Sequence, residues 1–137
     1  MTTTSRGSEV GSELPPISVN FTEEMCISYS GWPETRDFHT DLQLAKEKGF
    51  PSVIIEASVT MAYINELLTR FFGTNWFTSG YLRLSFINIV YPPERLTVKG
   101  VVREKMQEDS GVRLTVEAWV ENEKGDRVTV ATASALI

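Results

Sequence analysis

Beyond Gly80 the chain alternates. Tyr81, Arg83, Ser85 and Ile87 share one parity and Leu82, Leu84 and Phe86 the other, a period of two that predicts one strand from Tyr81 to about Tyr91. Pro92-Pro93-Glu94 supplies a turn. Further strands are predicted from about Leu96 to Gln107, Val112 to Asn122 and Arg127 to Leu136. Asp109-Ser110-Gly111 and Glu123-Lys124-Gly125-Asp126 separate them with good hairpin chemistry. Upstream the period is 3.6. Val59, Ala62, Tyr63, Leu67 and Phe71, with Met61, Ile64, Leu68 and Phe72, clothe most of a helix spanning residues 57 to 72. A helix apolar almost all round is buried on most sides. Gly73-Thr74-Asn75 ends it.

The first half is lighter in pattern. Residues 1 to 16 are rich in Ser, Thr, Gly, Glu and Pro, and a disordered or loosely attached leader is expected there. Ile17 to Phe21 reads as a short strand. Thr22 then caps a short helix reaching about Tyr29, with Glu23 and Glu24 in its first turn. Ser30-Gly31-Trp32-Pro33 breaks it. A short surface helix follows from Asp41 to Lys48, capped by Asp41 or Thr40 and ended by Gly49. The fold class is therefore α+β, one domain over residues 17 to 137. A sheet with one apolar face must be covered, and only the helix at 57–72 can do so. A curved antiparallel sheet wrapped around one central helix is the hot-dog arrangement. Its long apolar edge is expected to pair with a second protomer.

Composition narrows the classes. With 137 residues, 42% hydrophobic and 23% charged, the chain is an ordinary globular domain. A net charge of −5 disfavours nucleic acid or an anionic membrane as partner. Residues 57–72 are interrupted by Asn65, Glu66 and Arg70, so no membrane span is expected. The opening MTTTSRGSEVGSELPP lacks the apolar core of a secretory signal, and a cytoplasmic location is expected. One cysteine, Cys26, excludes an internal disulfide, and between Met25 and Ile27 it reads as a small core residue. With one histidine and no cysteine cluster, no metal site is expected. Trp32, Trp76, Phe72, Phe77 and Tyr81 read as core or dimer-contact residues, with an acyl-pocket lining as the alternative. Arg70, Lys99, Arg103 and Lys105 are candidates for phosphate contacts, against the plainer reading of solvated surface charge.

The chemistry centres on His39, the single histidine. Imidazole alone among side chains has an unperturbed pKa near neutrality, so histidine-based proton chemistry in this protein can use only this residue. Around it stand His39-Thr40-Asp41, Ala45, Gly49-Phe50-Pro51, Thr60 in the helix, Tyr91-Pro92 and Leu96-Thr97-Val98-Lys99-Gly100. In that order the chain resembles the MaoC-like hydratase/dehydratase family over residues 21 to 137.

The resemblance implies a hot-dog fold. It also implies a lyase that adds water to a 2-enoyl thioester or removes it from a 3-hydroxyacyl thioester. The thioester carries its own coenzyme A or carrier-protein phosphopantetheine, so no separate cofactor is implied. His39 matches the family's catalytic histidine. Five positions earlier the family's aspartate is Glu34 here, and its Asn-Pro is Arg36-Asp37, which leaves Asp37 as an alternative partner. The family's Ala-His-Gly at the helix start is Ile55-Glu56-Ala57 here, so the backbone N–H clamp for the thioester carbonyl would lie near Glu56 and Ala57. Pro51 to Ala57 also resembles the helix entrance of the beta-hydroxyacyl carrier-protein dehydratases, whose catalytic glutamate precedes an alanine. Whether Glu34 or Glu56 works with His39 is left open by the sequence. Alternatives are a hot-dog thioesterase or specialised-pathway dehydratase or cyclase centred on Glu56, and a non-catalytic subunit of a heteromeric hydratase. A homodimer is expected, or a heteromer with a second hot-dog subunit.

Overall fold

A computed structural model describes residues 7–137. Its order is β1 (Ile17–Phe21), α1 (Glu23–Tyr29), α2 (Leu42–Glu47), α3 (Ala57–Phe72), α4 (Thr74–Ser79), β2 (Tyr81–Phe86), β3 (Glu94–Glu108), β4 (Gly111–Glu121) and β5 (Arg127–Leu136). The strands form one five-stranded sheet in the order β1-β3-β4-β5-β2, and every neighbouring pair is antiparallel.

Strands β3, β4 and β5 are the consecutive hairpins that their turns predict. β2 departs from a simple meander: it pairs with β5, Tyr81 opposite Ser134 and Phe86 opposite Thr129. The expected strand to Tyr91 stops at Phe86. There the amides of Ile87 and Asn88 both turn to the carbonyl of Val128, and Pro92 and Pro93 have no N–H to give a ladder. Residues 87–93 therefore cross from one side of the sheet to the other instead of forming a hairpin. On the way the carbonyl of Val90 accepts the amide of Ile55 at 2.9 Å, which ties the crossover to the entrance of α3.

The core lies between α3 and the concave face of the sheet. Leu114, Val116, Ala118 and Val120 alternate along β4 and are fully buried, and Ile64, Leu67, Leu68 and Phe72 meet this face from α3. Ala131, Ala133 and Ala135 line β5, small enough to let the helix approach. Gly100 does the same on β3: a Cβ there would lie 3.2 Å from Leu67 and from Leu14. Ala57, Met61 and Ala62 remain exposed, so one side of α3 is uncovered. No helix among the described residues is long and apolar enough to cross a membrane.

Two caps form as read. Thr22 Oγ1 accepts the Met25 amide at 3.1 Å, and Asp41 Oδ1 accepts the amides of Gln43 and Leu44. α4 lies where only a helix end was expected. Gly73, at φ 62°, breaks α3, and the chain re-enters a six-residue helix too short to carry a period. It places Trp76 against Phe72, rings stacked 6.0 Å apart, with the indole N–H donating to Asn65 Oδ1 at 3.1 Å.

The expected leader is shortened. Its first six residues lie outside those described. Residues 11–14 run along β3: Gly11 donates to the Val102 carbonyl, Val102 to Ser12 and Leu14 to Gly100. Leu14 is buried over Gly100 and adds an apolar contact to these hydrogen bonds. Pro15 and Pro16, without amide protons, interrupt this flank of the sheet before β1 begins. The candidate phosphate ligands all form ion pairs. Lys99 pairs with Glu121, Arg103 with Glu117, Lys105 with Glu9 and Arg70 with Glu66. Arg103 and then Arg127 hold the Glu117 carboxyl below the ordinary carboxylate range by donating to it.

Candidate active site

The site is assembled where three segments meet at the start of α3. Residues 53–55 lie outside any helix or strand, and Ile54 donates its amide to the Phe38 carbonyl at 3.1 Å while Ile55 donates to Val90. This stitches the His39 loop to the β2–β3 crossover. Within the loop, Asp37 Oδ1 accepts the His39 amide at 2.8 Å. Thr40 Oγ1 accepts the Asp37 amide and donates to the Thr35 carbonyl. A side chain that takes its own neighbours' amides sets the turn locally, so Asp37 fixes the backbone of His39 and not its ring.

The ring is fixed by a main-chain atom. His39 Nδ1 lies 2.7 Å from the carbonyl oxygen of Ile54. A carbonyl can only accept, so Nδ1 carries the proton and the neutral ring keeps its lone pair on Nε2. Phe38 lies against the imidazole, ring centroids 4.4 Å apart. The same Ile54 carbonyl, with that of His39, accepts the thiol of Cys26 at 3.4 Å. Burial, then the nearby carboxylates Glu23, Glu56 and Asp37, push that thiol up to about 11. It is a protonated core group that ties the two segments together.

Glu56 occupies the N-cap position of α3 yet makes no side-chain cap bond. Its Oε2 instead accepts the hydroxyl of Ser58 at 3.2 Å. The first amides of α3 are therefore uncapped, with the partial positive charge of a helix N-terminus. A cleft of about 380 Å³ opens here. Phe38, Phe50, Ile55, Phe86, Ile89 and Val90 give it apolar walls, while His39, Glu56, Ala57, Thr60, Asn88 and Thr129 supply its polar points and the helix start. Thr60 and Thr129 are buried and share a hydrogen bond of 2.7 Å.

Of the predicted residues, His39, Glu56 and Ala57 share this cleft. Glu34 and Arg36 do not: both are exposed. Arg36 lies over the Trp32 ring at 4.8 Å and donates to the Pro33 carbonyl. Ion pairs among the described residues all use Lys or Arg, so no carboxylate pairs with the imidazole. The reason for Glu34 is local. Gly31, at φ 94°, bends the chain into a turn closed by the Thr35 amide on the Gly31 carbonyl at 2.7 Å, and the turn presents residue 34 to solvent. Asn88 and Thr129 come from the crossover and a strand, where no spacing signals a site. Tyr29, 2.9 Å from Ser58 Oγ, was equally silent.

Comparison with known proteins agrees with this architecture. No curated protein sequence matches the chain. Among solved structures, the R-hydratase PhaJ1 from Pseudomonas aeruginosa superposes with a TM-score of 0.76 at 20% identity, over 93% of this chain and 81% of that one. A chain of the ChsH1–ChsH2 complex from Mycobacterium tuberculosis gives 0.74 at 18%, over 94% and 98%. A chain of the HadBC (3R-hydroxyacyl-ACP dehydratase) complex from the same organism gives 0.70 at 12%, over 93% and 96%. These likenesses establish the hot-dog fold. The family model of the MaoC-like domain matches residues 10–124, and the chain belongs to the MaoC-like domain family.

Proposed function

We propose that the protein is a lyase that hydrates 2-enoyl thioesters or dehydrates 3-hydroxyacyl thioesters, with His39 as base and Glu56 as the acid in the same cleft. The carrying observation is the Nδ1 bond of His39 to the Ile54 carbonyl, which supports Nε2 as the base in a mostly apolar cleft that Glu56 also lines. In the dehydrating direction Nε2 takes the C2 proton of the substrate. The released electron pair forms the C2–C3 double bond, and the C3 hydroxyl leaves as water with a proton from Glu56. Negative charge gathering on the thioester oxygen meets the uncapped amides near Ala57. The substrate brings its own coenzyme A or phosphopantetheine, and the reaction, read as cytoplasmic, calls on no resident cofactor.

A second reading is supported by the same Glu56: a carboxylate at a helix start can also direct water at the thioester carbonyl, giving hydrolysis. Assaying the protein and its Glu56→Gln variant on crotonyl and longer enoyl thioesters, scoring loss of the conjugated double bond against thiol release, separates the readings. Hydration that falls at least about 100-fold in Glu56→Gln supports the lyase. Thiol release without hydration overturns it in favour of the thioesterase.

The assembly reading follows from β2, the edge opposite β1. Phe77 at 76% exposed, Tyr81 at 61% and Ile89 at 54%, with Phe86 and Ile87, lie along it or beside it in sequence. An unpaired strand with such a row is a pairing site, and the occupant proposed is a second copy of this chain. The ChsH1–ChsH2 and HadBC relatives are complexes of two different chains, so a hot-dog subunit of another sequence is the alternative occupant. Sedimentation should show a dimer for the protein and a monomer for Phe86→Lys. A monomeric parent protein would refute self-pairing.

A further inference from the structure

Glu56 is tied to the surface by hydroxyl groups. Ser58 Oγ donates its only proton to Glu56 Oε2 at 3.2 Å. The 2.9 Å contact between Ser58 Oγ and Tyr29 Oη must therefore run from tyrosine to serine. Tyr29 belongs to α1 and is 50% exposed, so a continuous donor chain leads from solvent through Tyr29 and Ser58 to the carboxylate. Oε1 has no hydrogen-bond partner among the described residues, and Glu56 lines the cleft.

We infer that Tyr29 and Ser58 form a proton relay that resets Glu56 between turnovers. This rests on the lyase reading, because that reaction leaves the pair in the wrong state. After each dehydration Nε2 holds the proton from C2, and Glu56 has lost one to the departing water. The imidazolium gives its proton to water in the open cleft. Glu56 regains one when Ser58 passes its proton to Oε2, Tyr29 passes its own to Ser58, and the solvent reprotonates Tyr29. The carboxyl and the two hydroxyls then turn, which brings the protonated carboxyl oxygen to the cleft and the bare one to Ser58. Each hydroxyl keeps one proton, and no other reactant is needed. In hydration the chain runs the other way. Both residues act through Glu56 and are positioning residues. They also explain why a residue at an N-cap position makes no cap: its acceptor capacity is directed to Ser58 and the cleft.

The test uses the full chain with crotonyl thioester in buffers of low and high concentration. Tyr29→Phe and Ser58→Ala should each lower kcat by roughly tenfold, a fraction of the 10²–10⁴ expected from general acid–base catalysis, with KM unchanged. Small buffer acids should restore the rate, since they replace a severed relay, and Ser58→Thr should retain it. Tyr29→Phe keeps a ring that is already half in solvent, so the fold is preserved. Unchanged kcat in both variants, or a loss that buffer does not relieve, overturns the relay while Glu56→Gln remains inactive. Full hydration by Glu56→Gln, or no hydration by the parent protein, removes the lyase reading and the relay with it.

Discussion

Replacing His39 with alanine is expected to lower enoyl-thioester hydration by roughly 10²–10⁴-fold while leaving the protein folded. The ring is half-buried and makes one bond, to the Ile54 carbonyl, worth about 1 kcal/mol to stability. That carbonyl keeps its second donor, the Cys26 thiol, so it is not orphaned. Two neighbouring bonds survive the substitution, from the His39 amide to Asp37 Oδ1 and from the Ile54 amide to the Phe38 carbonyl. The effect should accordingly appear in kcat, followed by the absorbance of the conjugated double bond, with an unchanged circular dichroism spectrum. Undiminished hydration by His39→Ala would exclude the imidazole from the chemistry. The loss should exceed that in any substitution at Glu34, which is solvent-exposed and outside the cleft.

Phe72→Ala should be the most damaging single truncation in the core, costing about 3–5 kcal/mol. Phe72 is 2% exposed. It meets Phe71 edge-on at 4.9 Å and stacks on Trp76 at 6.0 Å. Removing it opens a cavity and takes away the support of Trp76, which anchors α4 to α3 through Asn65. Domains of this kind are stable by about 5–15 kcal/mol in total, so the variant approaches the limit of folding. A urea titration should show the midpoint falling with the slope preserved, and the melting temperature should drop by on the order of 10 °C. A loss under about 1 kcal/mol would mean that the aromatic stack carries little of the core.

The sequence was most legible where the deciding forces are local. Hairpins β3–β4 and β4–β5 follow from Asp109-Ser110-Gly111 and from the turn at Glu123 to Asp126, and α3 follows from its 3.6-residue period. Thr22 and Asp41 made the capping bonds expected of them. Alternation says which face a residue takes but not which strand lies beside it, so the pairing of β2 with β5 was hidden. The seat of Leu14 was hidden too, because one buried leucine gives no periodic signal. At the site, the family resemblance pointed to Glu34, five residues before His39, but could not show that Gly31 turns it to solvent. The true partner of Nδ1, the carbonyl of Ile54, is a main-chain atom that any residue would supply. No side-chain motif can announce it.

The interruption at Pro15 and Pro16 bears on how many copies can join. On one flank the edge is split, since Pro15 and Pro16 cannot donate between the 11–14 segment and β1, while on the other β2 offers an uninterrupted edge. If both were free, edge-to-edge addition would propagate without limit, as it does in fibrils. In the proposed dimer two β2 edges meet about a twofold axis and leave the split flanks outermost. On the proposed pairing, two residues at the far side of the molecule from β2 thereby bear on whether a third copy can add.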